Sequence, residues 1–142
     1  MILIRAALSV PFAAREEVQI VAERQTLAKR RWRGLAADGI EFGFDLEKPL
    51  RAGDFVHLVG VKAYRLAQAA EPVLEIPLLS PAQAVKTGWQ IGNLHFPLAV
   101  VEGHILVQDD PAIRQLFERE RTLFRARTAV FQPLHAVAPH SH

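Results

Sequence analysis

The stretch Val73-Leu74-Glu75-Ile76-Pro77-Leu78-Leu79-Ser80-Pro81 is where the chain changes character. An apolar run ends at a Ser-Pro pair, so a strand is predicted to give way to a helix. Pro77 lacks the N–H that a ladder needs and marks an edge or an end of that strand. Ser80 suits an N-cap and Pro81 the first helical position. The helix is expected to run to about Gly92-Asn93, a pair suited to its C-terminal cap. Ala84, Val85, Gly88 and Ile91 are its expected buried stripe. Beyond it, Leu98-Ala99-Val100-Val101, then Glu102-Gly103, then His104-Ile105-Leu106-Val107 predict a hairpin. Asp109 or Asp110, with Pro111, opens a second helix carrying Ile113, Leu116 and Phe117. Leu123 to Val130 reads as a last strand. The order is βαββαβ, the ferredoxin-like split arrangement: an antiparallel sheet with two helices on one face.

Toward the N-terminus the signals are those of short strands. Glu17 to Glu23 alternates imperfectly, and Arg31-Trp32-Arg33-Gly34-Leu35 leads to the turn signal Asp38-Gly39. Ile40, Phe42 and Phe44 are expected on one face of the returning strand. Leu50 to Asp54 reads as a second turn, followed by strands Phe55 to Val59 and Ala63 to Ala67. The fold class is therefore α+β. A small N-terminal β domain spans 1–72, a ferredoxin-like domain 73–132, and a flexible tail 133–142. The first seventy residues would make a marginal core alone.

Composition narrows the function classes. Of 142 residues half are hydrophobic and 23% charged, a globular profile that excludes disorder over most of the chain. No apolar run approaches the roughly 20 residues of a membrane span, and the start lacks a signal-peptide pattern. There is no cysteine, hence no disulfide framework and no thiolate nucleophile or ligand. A cytoplasmic location is expected. Seventeen basic against fifteen acidic residues leave a formal charge of +2, a weak argument for nucleic acid.

There is no Gly-rich phosphate loop, nucleophile elbow or His-Glu-x-x-His helix, so no catalytic residue is assigned and an enzyme is not expected. Ser80 reads as a helix cap, and one of Asp109 and Asp110 as another. The most specific segment is Trp89-Gln90-Ile91-Gly92-Asn93-Leu94-His95-Phe96-Pro97. It places His95 on a turn just past a helix end, where it is either a metal ligand or a side chain interacting with the helix C-terminus. His57 reads as structural and His104 as a solvated hairpin residue. His135, His140 and His142 fall in the last eight residues.

Gly92-Asn93-Leu94-His95, with Pro97, resembles the Gly-Asn-Arg-His motif of the urease accessory nickel metallochaperones, the UreE-like family. Lys29-Arg30-Arg31-Trp32-Arg33-Gly34, Asp38-Gly39, Asp45-Leu46, Leu50 with Gly53-Asp54, and Phe131-Gln132-Pro133-Leu134 are similar to other parts of that family. The resemblance implies a β domain and a ferredoxin-like metal-binding domain, joined through the latter into a homodimer. It implies one nickel ion bound by His95 of both subunits at the two-fold axis, with His140 and His142 as further ligands. Zinc or copper is expected to bind as well, since imidazole suits all three ions. The implied partners are a urease accessory GTPase and the apo-urease complex, with no membrane. Departures are Leu94 where the family has Arg, Gln90 where some members have His, and no histidine pair in Val107-Gln108-Asp109-Asp110. A different class of reading rests on Lys29 to Arg33, where four cations around Trp32 would bind RNA or an acidic protein.

Overall fold

A computed structural model describes residues 1–9 and 16–134. The chain is α+β and divides into two compact units, Met1–Ala69 and Ala70–His142.

The first unit contains β1 (Ile2–Ile4), β2 (Glu16–Ala22), the short α1 (Arg24–Leu27), β3 (Arg31–Leu35), β4 (Glu41–Asp45), β5 (Phe55–Val59) and β6 (Lys62–Gln68). They form two three-stranded sheets, ordered β1-β4-β3 and β2-β6-β5. Two antiparallel hairpins, β3–β4 and β5–β6, each receive a parallel strand from earlier in the chain. The two sheets share one core, built from Ile4, Val18, Ile20, Phe42, Phe44, Tyr64 and Leu66 among others. Trp32 is buried and stacks on Phe44 with ring centroids 3.9 Å apart. Gly34 permits this packing: a Cβ there would lie 2.9 Å from both Ile20 Cγ2 and Trp32 Cζ3.

The expected strands are present, with two corrections. Ile40 is 40% exposed and does not share the buried face of Phe42 and Phe44. Its carbonyl accepts from Ala36 N at 2.9 Å and so closes the turn, leaving the strand to begin at Glu41. Neither β1 nor α1 was expected. Three residues paired with a strand forty positions away, and a helix of one turn without a side-chain cap, leave no periodic signal.

The second unit runs β7 (Glu71–Pro77), α2 (Pro81–Asn93), β8 (Leu98–Val101), β9 (His104–Gln108), α3 (Pro111–Glu120) and β10 (Arg125–Ala129). Its sheet is ordered β10-β7-β9-β8 and is antiparallel throughout. Pro77 is the last residue of a central strand, where its missing N–H costs least. Ser80 caps α2 by accepting from Gln83 N at 3.1 Å, and Asp110 caps α3 by accepting from Ala112 N at 2.8 Å. Asp109 is instead bidentate to Arg114, which holds its carboxyl below the usual range. Glu102 and Gly103 both have positive φ, 45° and 79°, the backbone of a two-residue hairpin turn.

Alternation assigns the two faces of this sheet. Leu74, Ile76, Ile105 and Val107 point to one side and are sealed by Ile91 of α2 and by Ile113, Leu116 and Phe117 of α3. Val73, Ala99 and Leu106 point to the other, where the fully buried Phe131 covers them. The chain then crosses to the far edge, and Leu134 N donates to Leu98 O at 2.7 Å. The buried stripe of α2 differs from the expected one. Thr87 and Ile91 are buried, with Ala84 and Gly88 half-buried, whereas Val85 is 72% exposed. Positions 84, 87, 88 and 91 share a face; Val85 sits roughly 100° round the helix from Ala84.

Two measurements test this account. Phe131→Ala removes a fully buried ring and is expected to cost about 3–5 kcal/mol in denaturant unfolding, because it opens a cavity over Val73, Ala99 and Leu106. In the first unit, Tyr64 Oη donates to Asp38 Oδ2 at 2.6 Å, with Lys62 Nζ at 3.4 Å from the same oxygen. The hydroxyl, then Ile40 N–H and Lys62, lower the Asp38 carboxyl, while Asp38 raises the Tyr64 phenol. An Asp lowered on folding stabilises above its unfolded pKa of about 4 and loses that stabilisation as pH falls through the folded value. A Tyr raised on folding stabilises below about 10 and loses it as pH rises through the folded value. Asp38→Asn is therefore expected to be less stable than wild type at neutral pH, with the gap narrowing at both extremes. A gap independent of pH would remove the pair from the account.

Candidate functional site

The end of α2 sets the geometry around His95. Phe96 N donates to Ile91 O at 3.3 Å and His95 N to Gly92 O at 2.9 Å. These paired reversed bonds define a Schellman cap, whose left-handed position is normally glycine. Here that position is His95, with φ 62°. Gly92 and Asn93 therefore do not form the cap as expected; both belong to the last helical turn. The apolar contact of the motif decides the register. Phe96 follows the left-handed residue and packs against the cluster that contains Ile91. A cap centred on Gly92 would put polar Asn93 in that place.

A left-handed conformation costs a non-glycine residue on the order of 1 kcal/mol, and such residues concentrate at functional sites. The imidazole of His95 is exposed. Beside it, Val85 and Trp89 are 72% and 68% exposed and lie at i and i+4, a stripe on the outer face of α2 leading to the turn. No group of three or more His, Asp or Glu positioned to hold a metal occurs among the described residues. His135, His140 and His142, and with them residues 135–142 of the expected flexible tail 133–142, lie outside the described residues.

The other histidines have different surroundings. His57 is half-buried between the rings of Phe42 and Tyr64, each centroid 5.9 Å away. His104 is not simply solvated. Its Nε2 lies 3.5 Å from Glu75 Oε1 and its Nδ1 is 3.1 Å from Glu102 O. Glu75, only 7% exposed, also accepts from Arg127 Nη1 and, at 3.2 Å, from Arg125 Nη2. Arg127 foremost, then Arg125 and His104, hold its carboxyl below the usual range against the opposing effect of burial. Two guanidinium groups make this a poor place for a metal cation. The cluster was not anticipated. Its signals were a single acid in an apolar strand, Val73-Leu74-Glu75-Ile76, and two arginines two apart on one strand face.

The basic stretch from Lys29 to Arg33 offers no ring for a base to stack on, because Trp32 is buried against Phe44. Arg31 is held by Asp45, Nε to Oδ1 at 3.1 Å. Among the described residues no helix is long and apolar enough to cross a membrane.

Comparison with known proteins bears on the half of the chain that carries His95. The model of the UreE urease accessory protein C-terminal domain matches residues 71–142. A urease accessory protein UreE of Rhizobium meliloti is 36% identical over 100 residues, which are 69% of this chain and 64% of that protein. One from Ectopseudomonas mendocina is 26% identical over 136 residues, 94% of this chain and 81% of its own length. One from Bradyrhizobium is 28% identical over 119 residues, 68% of this chain and 57% of its own length. The chain thus spans less than two thirds of the Rhizobium and Bradyrhizobium relatives. Each is named as an accessory protein of urease, not as the enzyme. With the domain model covering the whole βαββαβ unit and its His95 turn, the chain belongs to the UreE family of urease accessory proteins.

Proposed function

We propose that this chain is a urease accessory metallochaperone, which binds nickel at a histidine site on a homodimer interface and delivers it for assembly of the urease metallocentre. The observation that carries the reading is His95 itself: an exposed imidazole in the left-handed position of a helix cap, next to an exposed apolar stripe. Glycine would be less strained there, although Arg121 takes the same left-handed position at the end of α3.

A single imidazole holds nickel weakly. A two-fold axis near His95 would bring two together without any further residue, since an isologous interface uses the same patch twice. Val85 and Trp89 supply the apolar surface such an interface needs. The element order and the sheet order β10-β7-β9-β8 support a ferredoxin-like unit as its scaffold. Leu134, in the expected tail, is bonded to Leu98, which is three residues from His95 along the chain. The six residues from Leu134 to His140 reach about 20 Å when extended, so His140 and His142 are within range as auxiliary ligands. Two imidazoles and a loosely tethered pair leave the coordination sphere open, as transfer of the ion requires. Copper binds such donors more tightly than nickel, and zinc also binds them. Selection for nickel therefore lies in supply and in the recipient. The family resemblance makes that recipient the accessory GTPase and the apo-urease complex, in the cytoplasm.

Nickel calorimetry at neutral pH tests the site. Wild type is expected to bind about one tight nickel per dimer. His95→Gly is expected to lose that site and yet gain on the order of 1 kcal/mol in stability by relieving the left-handed strain. Tight binding by His95→Gly would end this reading. Trp89→Glu tests the interface: sedimentation should show a shift to monomer, with the tight nickel site lost although His95 is intact. A monomer that still binds nickel tightly would remove the two-fold site.

A further inference from the structure

The face of the C-terminal sheet away from the helices carries features that the nickel reading does not use. Phe131 covers the part formed by Val73, Ala99 and Leu106. Next to it lies a cavity of about 390 Å³, walled by Glu75, His104, Arg125 and Arg127 and by the aliphatic groups of Val101, Leu106, Ala129 and Val130. Strand register assembles it: Glu75 pairs with Arg125 on one side and with Leu106 on the other, and His104 pairs with Pro77.

Glu75 is enclosed, but the groups around it are not. The side chains of Arg125, Arg127 and His104 are 72%, 45% and 40% exposed, against 9% for Glu75. Each arginine has five donors in a planar fork and can serve two carboxylates at once. Arg125 and Arg127 are two apart on one strand, so both forks stand on the same face. The valines at the rim are exposed as well, Val101 at 46% and Val130 at 47%. The cavity therefore combines cationic forks on one side with aliphatic surface on the other. We propose that it is a carboxylate-binding site, taking a carboxylate borne on an aliphatic body. Glu102 on the adjoining turn completes the lining and balances its formal charge: two arginines against two glutamates. Recognition then rests on the forks and not on excess charge, which favours a carboxylate over the more highly charged phosphate.

Such a group comes either from a free organic acid or from a glutamate of a partner protein. The full chain without added nickel would be titrated by NMR with glutarate, with inorganic phosphate and with the peptide N-acetyl-Leu-Glu-Leu-amide. Saturable shifts of the Arg125, Arg127 and His104 signals are expected with glutarate and the peptide, and weaker ones with phosphate. Tighter binding of the peptide than of glutarate assigns the site to a partner's side chain; the reverse assigns it to a free acid. Two variants move affinity in opposite directions. Arg125→Gln, at a mostly exposed position, should weaken binding roughly tenfold. Glu75→Gln should tighten it by releasing both guanidinium groups from their internal carboxylate. A purely structural ion cluster predicts no saturable binding in either wild type or Glu75→Gln, and that result overturns the proposal. Equal affinity for phosphate and glutarate overturns it too. His95→Ala should bind glutarate like wild type, so this site and the nickel site fail or stand separately.

Discussion

The register of β7 at the centre of the C-terminal sheet is the constraint on which the rest of this unit depends. β7 is hydrogen-bonded on both sides, to β10 and to β9. Its alternation sends Leu74 and Ile76 under the helices and leaves Val73 and Glu75 on the opposite face. A slip of one residue would drive Glu75 into the apolar layer and expose Leu74 and Ile76. An uncompensated carboxylate in that layer is among the most unfavourable arrangements available to a small domain. The correct register is therefore enforced from both faces: by burial against α2 and α3, and by the two arginines and the histidine that meet Glu75.

That register also places His95. Ile91, on α2, packs into the same layer as Leu74 and Ile76, which fixes the rotation of the helix about its axis. With Ile91 inward, Val85 and Trp89 face outward, and the Schellman cap closes on Phe96. The left-handed residue then has to be His95. The backbone strain at the candidate ligand is thus maintained by the apolar packing of Ile91 and Phe96. This is how strained conformations persist: the surrounding structure over-determines them.

Much of the fold was legible because its punctuation is local. Ser80-Pro81, Asp110-Pro111 and Glu102-Gly103 each act through their own backbone, and the structure uses them as caps and turn. What was not legible depends on distant partners. The parallel pairings of β1 with β4 and of β2 with β6 join residues 40 and 46 positions apart, and no sequence period reports them. Val85 is apolar and fits an i, i+1, i+4, i+7 spacing with Ala84, Gly88 and Ile91, yet the buried stripe centres on 84, 87, 88 and 91, where threonine at 87 disguised it. The candidate site was legible as a motif, with His95 on a turn after a helix. Its left-handed geometry was not, because the glycine one expects at a cap stands three residues too early. The Glu75 cluster escaped notice because its members come from β7, β9 and β10 and meet only through cross-strand register.

On the proposed reading, the two faces of one sheet divide the work of a carrier. Among the described residues no group of three or more donors is placed to hold a metal, so on this reading the site is completed by association. Metal and partner subunit are then linked reciprocally: whatever nickel adds to the dimer, the dimer adds to nickel affinity. An interface resting on a narrow apolar stripe around Val85 and Trp89 is modest, which leaves room for the ion to contribute to it. The same linkage provides a route to release. A recipient that disturbs the interface need not outcompete two imidazoles at once; separating them leaves each subunit with one weak ligand. The strained turn adds to this. His95 is held at the end of a helix, in a turn whose backbone is fixed by the cap, and on this reading the ion is gained or lost by bringing together or parting two halves.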